Sequence, residues 1–431
     1  MPSAHADRMR GALARREQTM KTQIGLLCEV TNGNLGNAAF EAAAIQHLRD
    51  YFPDAKFFVC SYNSLETFKS DGVALFPINK TVFRTLPGRA AQPPRGRLSR
   101  LFDPVVSELA FWLASYRFIK DFRVLVLCGG GQLSDWWGGP WAHPYRLFMW
   151  TVLARLRRVP LIVLNVAVEA VDSPISRWFL RHTLRYASYR SFRDDASKAA
   201  VESWGVRFDN HVYPDLAFSL RLPAALAGAR PAPHGRLVGI SPMAYCDPRA
   251  WPVKDAARYR QYLRTLAGLA GALIGRGYTI MLFTSQTRMD RPVLEDLRAA
   301  IIEGDPSRAQ HVTDAGVRTV DDFLHLMPCL DFVVASRMHG LLLAQLMETP
   351  VLAISYDSKV DSLMAGLGLA EFCLDIRTVE LPSLLERFAA LETRRSAVVA
   401  TLQMRVTAYR AVLQAQYDAV FAARGDRVAA R

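Results

Sequence analysis

Two short polar segments in the C-terminal half combine side chains that bind anions with one that exchanges protons. Ser336-Arg-Met-His-Gly340 follows the apolar run Asp331–Ala335, and Tyr356-Asp-Ser-Lys359 follows the run Val351–Ser355. An arginine guanidinium binds a carboxylate or phosphate through two parallel hydrogen bonds, lysine adds a compact positive charge, and histidine titrates near neutral pH. The two segments therefore predict a site for an anionic ligand. Its candidate residues are Ser336, Arg337, His339, Tyr356 and Lys359.

A glycine-rich segment in the N-terminal half predicts a second contact region. Gly129-Gly-Gly-Gln-Leu-Ser-Asp135 follows the apolar run Val124–Cys128 and leads into Trp136, Trp137 and Trp141. Glycines directly after a buried strand let a ligand approach the backbone. The tryptophans are typical of sugar stacking, although packing against a neighbouring domain is the alternative. Asp135 is a candidate base for a sugar hydroxyl. The predicted sugar contacts are Gly130, Gly131, Trp136 and Trp137.

Two further turns carry weaker signals. The first follows the run Gln23–Val30 and contains Asn34, Gly36 and Asn37. It predicts a tight turn into a helix with Asn37 as its N-cap, and the helix N-terminus offers N–H groups to an anion. The spacing is not the dinucleotide fingerprint GxGxxG. In the second turn, Arg193 and Asp194 either bind a ligand or form an ion pair that caps the next helix.

Alternating β-rich and helical patterns must position these segments. Because the β-rich runs of Val, Ile and Leu do not alternate with polar residues, they predict parallel strands buried on both faces. The predicted strands are Gln23–Val30, Lys56–Cys60, Val124–Cys128, Leu161–Ala167, Tyr189–Phe192, Leu237–Ser241, Thr279–Thr284, Asp331–Ala335 and Val351–Ser355. The sequence thus predicts an α/β protein whose ligands bind at the carboxyl ends of parallel strands.

Composition divides the 431 residues into two similar halves. A basic leader, residues 1–21, precedes an N-terminal Rossmann-like domain over residues 22–221. A linker rich in Pro, Ala and Gly, residues 222–236, leads to a C-terminal Rossmann-like domain over residues 237–380. Residues 381–431 are predicted to form C-terminal helices.

Charge and cysteine patterns restrict the partners. The net charge of +13 favours an anionic partner, but no nucleic-acid-binding motif accompanies it. The six scattered cysteines form no CxxC pair, so neither a metal site nor a disulfide framework is predicted. No apolar run is long enough to span a bilayer. The segment Lys80–Arg100 carries six cations and no acid, and is interpreted either as a surface loop or as a basic lip for an anionic acceptor or membrane.

The sequence resembles the polysaccharide pyruvyltransferase family over roughly residues 22–370. The most specific part is Ser336-Arg-x-His339 followed by Pro350-x-x-x-x-Ser-Tyr-Asp-x-Lys359. The Asn34 turn, the Gly129–Gly131 segment and the Arg193-Asp194 segment occur in the expected order. Many members carry Asp where this chain has Asn37, so no acid–base role is predicted there.

The resemblance implies a glycosyltransferase-B-like fold, in which two Rossmann-like domains face a cleft, and a cytoplasmic enzyme that transfers pyruvate from phosphoenolpyruvate to two sugar hydroxyls as a ketal. Arg337 and Lys359 would bind the donor with Arg193 as a third cation, while His339 would be general acid or phosphate ligand. Asp135 or Asp194 would be the hydroxyl base. No cofactor or metal is expected. The implied acceptor is a saccharide. One form of it would be linked to a lipid at the inner face of the membrane. A nucleotide-sugar glycosyltransferase, with Glu348 or Asp357 on the ribose, and a non-catalytic sugar-binding relative remain alternatives.

Overall fold

The computed structural model describes residues 22–28, 33–61, 72–84, 97–136, 138–226 and 236–424, with side chains for all of these except 84 and 97–102. The strands are β1 (Gln23–Leu27), β2 (Lys56–Ser61), β3 (Val73–Pro77), β4 (Phe122–Cys128), β5 (Leu161–Val166), β6 (Tyr189–Phe192), β7 (Asn210–Val212), β8 (Leu237–Ser241), β9 (Thr279–Leu282), β10 (Val312–Asp314), β11 (Phe332–Ala335), β12 (Val351–Ser355) and β13 (Cys373–Asp375). The helices are α1 (Leu35–Tyr51), α2 (Lys80–Arg84), α3 (Arg97–Phe118), α4 (His143–Leu156), α5 (Pro174–Tyr186), α6 (Asp195–Ser203), α7 (Ala256–Gly275), α8 (Arg291–Gly304), α9 (Val320–Leu326), α10 (Met338–Leu346), α11 (Ser358–Gly366), α12 (Leu381–Thr393) and α13 (Arg395–Phe421).

The strands form two parallel sheets. One has the order β3-β2-β1-β4-β5-β6-β7 and the other β10-β9-β8-β11-β12-β13. Central strands such as β5 and β12 are buried at every position, because helices cover both faces of a parallel sheet. The predicted α/β class with parallel sheets and C-terminal helices is therefore confirmed.

The chain forms two compact units, one around each sheet. The first unit is drawn from Met1–Thr31, Ala44–Asp215 and Gln416–Arg431, and the second from Asn32–Ala43 and Leu216–Ala415. Two segments differ from the predicted boundaries. Residues 32–43, with the first turns of α1, belong to the second unit, and the end of α13 belongs to the first.

The end of α13 contributes polar and aromatic contacts to the first unit. The Gln416 amide donates to the side chains of Asn165 and Ser191, at 2.6 and 2.8 Å. Tyr417 stacks on His47 with ring centroids 4.5 Å apart. Because Gln416 is 1% exposed, these bonds form away from solvent. The end of α13 is thus an integral part of the first unit's core.

Two local predictions from the sequence were wrong. Lys80–Arg100 is not a loop throughout, because α2 occupies its first residues and α3 begins at Arg97. Asn37 is not the N-cap of α1, since the helix already begins at Leu35 and the Asn34 side chain accepts a hydrogen bond from the Gly36 N–H at 2.9 Å. Asn34 supplies the cap because its oxygen satisfies an N–H group of the first turn.

Several predictions lie outside the described residues: the basic leader 1–21, the end of the first strand at 29–30, the segment 85–96, Trp137 and most of the linker, 227–235. No helix within the described ranges has the length and apolar content needed to cross a bilayer.

Replacing Gly25 with alanine should destabilise the first unit. Gly25 lies in the middle of β1, where an added methyl group would overlap the Phe122 ring and approach Leu125 Cδ1 to 2.8 Å. Overpacking of this kind costs about 1–3 kcal/mol, which denaturant titration followed by circular dichroism would detect. Gly275→Ala is the matched control, because no atom lies within 4 Å of the added methyl. Equal effects of the two substitutions would contradict the packing described for β1.

Candidate functional site

The order of strands in the second sheet identifies where a ligand would bind. The chain starts at the central strand β8, fills one side with β9 and β10, and then returns to place β11 on the other side. In open parallel sheets the crevice at such a reversal, beyond the carboxyl ends of the strands, is the usual ligand site. Ala335, the last residue of β11, pairs with Ser241, the last residue of β8. The segment from Ser336 to His339 therefore begins at this reversal.

Arg337 is held by a buried aspartate that the sequence analysis did not identify. Its Nε donates to Asp290 Oδ2 and its Nη2 to Asp290 Oδ1, both at 2.7 Å. Asp290 is fully buried and also accepts a hydrogen bond from the Ala244 N–H at 3.0 Å. One carboxylate thus joins the segments that follow β8, β9 and β11.

This pairing fixes both the charge and the orientation of Arg337. Burial alone would lower the pKa of the guanidinium, but the Asp290 carboxylate outweighs it and raises that pKa above its ordinary value. The cation is therefore permanent, and the bidentate fork that was predicted to hold a ligand holds Asp290 instead. Tyr356 adds a further side-chain hydrogen bond to this guanidinium.

Ser336 lies beneath this arrangement rather than in contact with a ligand site. Its side chain is completely buried and its hydroxyl forms a 2.8 Å hydrogen bond with the hydroxyl of Tyr262. The Tyr262 hydroxyl also accepts from the Met243 N–H at 3.2 Å. Ser336 thus anchors the turn that carries Arg337.

Aromatic rings connect the two cationic segments. Trp251 lies 5.8 Å from the Arg337 guanidinium carbon and contacts the Tyr356 ring edge-on at 6.0 Å. The Lys359 ammonium lies 5.3 Å from the Tyr356 ring centroid. Cations near aromatic faces are stabilised electrostatically, so these rings order the charges without neutralising them. Arg337, Tyr356 and Lys359 are thereby brought together, with Trp251 as an unpredicted member.

The first turn of α1 packs directly on His339. A methyl group at Gly36 would overlap the His339 ring, and the Phe40 ring lies 6.3 Å from it. His339 is the second residue of α10, whose N-terminal N–H groups favour an anion nearby. Asn34, Gly36 and His339, predicted from segments 300 residues apart, therefore belong to one region of the second unit.

The segment after β9 completes this region. The Leu35 N–H donates to the Ser285 carbonyl and the Thr287 N–H to the Gly33 carbonyl, each at 2.9 Å. This segment was not predicted from the sequence, although Ser285 and Asp290 follow the predicted strand Thr279–Thr284 closely. Applying the strand-end rule to β9 as it was applied to β11 would have found it.

Glu41 is a further residue without a sequence signal. It lies on α1, one turn after Asn37, and is 2% exposed. Neither carboxyl oxygen has a hydrogen-bond partner among the described residues, and burial raises the pKa of Glu41 to about 8. Glu41 is therefore protonated at neutral pH.

In the first unit, the glycine-rich segment extends the sheet beyond β4. The Gly130 carbonyl accepts from the Ala167 N–H at 2.8 Å, and a side chain at Gly131 would overlap Glu169. Gly130 has φ of 63°, which favours glycine. Trp136 is 52% exposed and thus able to stack on a ligand.

The two candidate bases of the first unit are engaged with backbone groups. Asp135 accepts hydrogen bonds from the N–H groups of Ser173, at 2.9 Å, and Asp172, at 3.3 Å. Partial burial opposes ionisation of Asp135, but these bonds outweigh it and lower its pKa. Asp194 is the N-cap of α6 and accepts from the Ser197 N–H at 2.7 Å.

Arg193 lies beside these groups as part of an ion-paired cluster. Its Nη1 is 3.3 Å from Asp215 and its Nε is 3.8 Å from Asp194. The Arg–Asp interaction considered from the sequence therefore exists, with Asp215 as its second partner. Arg193 and Asp194 are neighbours in the first unit, whereas the cluster around Arg337 belongs to the second.

Comparison with known proteins decides between the families that such a fold allows. A model of the family "Polysaccharide pyruvyl transferase" matches residues 34–358, well over half of the chain. The chain belongs to the polysaccharide pyruvyl transferase family. The match extends from the Asn34 turn to Ser358, one residue before Lys359, and confirms the resemblance and the assignment as a pyruvyltransferase enzyme.

Solved structures similar to this pyruvyltransferase show its fold alone, because their sequences are 9–13% identical. UDP-GlcNAc 2-epimerase from Neisseria meningitidis, bound to UDP-GlcNAc, has a TM-score of 0.53 and 12% identity over 88% of this chain and 94% of that one. An α,α-trehalose-phosphate synthase (UDP-forming) from Burkholderia vietnamiensis has a TM-score of 0.52 and 13% identity over 94% of this chain and 100% of that one. A glycosyltransferase from Rickettsia africae has a TM-score of 0.53 and 9% identity over 93% of this chain and 98% of that one. The glycosyltransferase-B-like class is thus shown.

Adding a methyl group at Gly36 of the pyruvyltransferase should destabilise the second unit through His339. We expect Gly36→Ala to lower the free energy of unfolding by about 1–3 kcal/mol, because the methyl overlaps the imidazole. In a His339→Ala background the same substitution should cost much less, since the ring is gone. Denaturant titrations of the four proteins in this double-mutant cycle measure the coupling. Strictly additive effects would show that the contact is absent.

Burial of Glu41 should give the pyruvyltransferase a specific dependence of stability on pH. Between its ordinary pKa of 4.5 and the folded-state value of about 8, the unfolded chain releases the proton while the folded chain keeps it. Stability therefore falls as pH rises through this window. We expect Glu41→Met to remove this slope and to exceed the wild type by about 1–3 kcal/mol at pH 8. Melting curves from pH 5 to 8 test this, with the exposed Glu386→Met as control; parallel curves for all three proteins would rule out a protonated Glu41.

Proposed function

We propose that this pyruvyltransferase takes its pyruvyl group from phosphoenolpyruvate and transfers it to two hydroxyls of a saccharide as a ketal. The saccharide would be part of an exopolysaccharide or cell-surface glycan. The family match over residues 34–358 carries the proposal. The cationic region of the second unit supports it, because phosphoenolpyruvate presents both a carboxylate and a phosphate.

The reaction defines what the residues must do. A proton is added to the methylene carbon of the donor, and the neighbouring carbon becomes oxocarbenium-like. One sugar hydroxyl bonds to that carbon, phosphate leaves with its bridging oxygen, and the second hydroxyl closes the ketal. The two hydroxyl protons balance the one gained by the new methyl group and the one carried away by phosphate. The enzyme must therefore bind two anionic groups, donate one proton and accept two.

In this proposal the second unit binds the donor. Arg337, oriented by Asp290, and Lys359, near the Tyr356 ring, face the two anionic groups. His339 at the N-terminus of α10 is general acid or phosphate ligand, and Tyr356 lines the site. These cations meet the charge of the donor, so the proposed chemistry includes neither a metal nor a cofactor.

The first unit is proposed to bind the acceptor. Gly130, Gly131, Trp136 and Trp137 would contact the sugar. The Asn34 turn, with Gly36 and Asn37, belongs to the second unit and is proposed as a separate acceptor contact. The lowered pKa of Asp135 makes its carboxylate a weak base, and the Asp194 carboxylate is engaged as the N-cap of α6. We therefore propose that they order the acceptor loops together with Arg193, and that they assist the hydroxyls by hydrogen bonding.

A location in the cytoplasm, at the inner face of the membrane, belongs to the same proposal. The scattered cysteines suit a reducing compartment, and the charge of +13 suits a lipid-linked acceptor carrying phosphate.

The two carboxylates considered for a nucleotide donor lie at opposite ends of β12. Glu348 precedes β12, at the amino end of that strand, and its Oε2 accepts from the Gln403 amide at 2.8 Å. Asp357 is the N-cap of α11 and accepts from the Lys359 N–H at 3.0 Å. A ribose usually pairs with a carboxylate at the carboxyl ends of the strands, so Glu348 is placed unfavourably for that role. Asp357 lies at that end, where its side chain already caps α11.

Binding of phosphoenolpyruvate alone tests the donor assignment without knowledge of the acceptor. Phosphoenolpyruvate should raise the melting temperature of the wild type, because it binds only the folded state, whereas UDP-GlcNAc should not. Lys359→Ala should abolish this shift while leaving the Arg337–Asp290 pair intact. Arg337→Ala should abolish it too, and should cost about 3–5 kcal/mol of stability, since Asp290 is left buried without its partner.

The control is Arg394→Ala, which removes an exposed arginine that pairs with Glu371 in the same unit. It should retain the full shift with phosphoenolpyruvate. A shift produced by UDP-GlcNAc but not by phosphoenolpyruvate would overturn the donor assignment, and a shift that survives in Lys359→Ala would remove Lys359 from the site.

A further inference from the structure

Helix α3 presents an apolar face to solvent. Val105, Val106, Leu109 and Leu113 are 59, 60, 64 and 50% exposed. At about 100° per residue these four positions fall within one sector of about 100° on the helix. Phe111, on the opposite side, is completely buried. An apolar stripe facing the core is ordinary, but a second stripe facing water marks a contact surface.

This stripe continues into an open cavity of about 700 Å³, whose walls include Val105, Leu109, Trp112, Trp141 and Tyr145. Trp141 is itself 64% exposed. Its ring contacts Phe179 at 5.5 Å, and Phe179 contacts Trp178, which is 49% exposed, at 5.3 Å. The stripe and these rings together, called here the α3–Trp141 surface, form one continuous region of the first unit.

Positive charge borders the α3–Trp141 surface. Helix α5, which carries Trp178, contains no acid and exposes Arg177 and Arg185. Glu108 lines the cavity and is engaged by Lys80, at 3.3 Å, and by Arg146. Burial would raise the pKa of Glu108, but these cations outweigh it and lower that pKa. Glu108 is therefore ionised, and the positive charges of Lys80 and Arg146 balance its negative charge. The surface is thus apolar and aromatic in the middle with a cationic border.

We propose that the α3–Trp141 surface binds the surface of a bilayer that contains anionic lipid. Aliphatic side chains enter the acyl boundary, tryptophans favour the headgroup level, and arginines bind lipid phosphates. The cationic border favours a bilayer over an uncharged apolar partner, because each arginine near an anionic surface contributes about 1 kcal/mol. The proposal rests on the geometry of the first unit and does not require phosphoenolpyruvate. It deepens the proposed function by giving a lipid-linked acceptor a place of approach.

Flotation of the full-length protein with vesicles tests this directly. The wild type should bind vesicles of phosphatidylcholine with phosphatidylglycerol, should bind phosphatidylcholine alone weakly, and should be released by salt. Leu109→Glu should reduce vesicle binding about tenfold or more, because burying a leucine side chain in the acyl boundary contributes about 1.5–3 kcal/mol to the binding free energy. Met404→Glu is the matched control: it changes the net charge equally at a residue that is 61% exposed on α13. It should bind like the wild type.

The outcomes separate this proposal from others. Equal binding by Leu109→Glu and Met404→Glu, or no binding by the wild type, would overturn it. Analytical ultracentrifugation without lipid shows whether the wild type self-associates, and a dimer that Leu109→Glu dissociates would assign the surface to a second copy instead. The donor titration is separate. If the protein binds phosphoenolpyruvate but not vesicles, only the proposed membrane contact is wrong. If it binds vesicles but not phosphoenolpyruvate, only the proposed donor is wrong.

Discussion

The ion pair between Arg337 and Asp290 is the constraint on which the second unit's candidate site depends. A fully buried carboxylate is costly unless it is paired and hydrogen-bonded, and Asp290 satisfies this requirement with Arg337 and the Ala244 N–H. Because the partners come from the segments after β8, β9 and β11, none of these can shift without leaving a charge unpaired. The segment after β9 in turn bonds to the start of α1, where Gly36 meets His339. The positions of Arg337 and His339 are thus coupled.

The central strands could be predicted from the sequence, whereas the edge strands could not. The four strands missed, β3, β7, β10 and β13, are those at the edges of the two sheets within the described residues. They are three to five residues long and only partly buried, so they lack the continuous apolar run that identifies a strand buried on both faces. Helix α3 was missed for a related reason. Pro104 lies inside it, and its apolar residues face solvent as well as the core, which obscures the helical period.

The site residues that lie close to a strand end in the sequence could be predicted. Arg337, His339, Tyr356 and Lys359 follow two adjacent strands, and the rule for strand ends placed them together. Trp251 could not be found in this way, because it is distant in sequence and carries no motif. The same rule applied to β9 reaches the segment of Asp290, but it does not give the pairing of Asp290 with Arg337. The predicted capping residue was wrong by one turn, since Asn34 and Asn37 are equally suitable by type and only the start of α1 decides between them. The family model confirms the family and leaves the roles of individual residues as proposals.

The division of the chain between the two units has a consequence for protein engineering. Residues 32–43 are separated in sequence from the rest of the second unit by nearly all of the first unit, and the end of α13 is separated likewise from the first. A gene cut at the linker 222–236 would therefore not yield two intact domains. The C-terminal fragment would lose the glycine on which the His339 ring packs, and the N-terminal fragment would lose the Gln416 hydrogen bonds. Transplanting either unit between relatives thus requires exchanging these short segments as well, so that each recombined unit keeps all the pieces of its core.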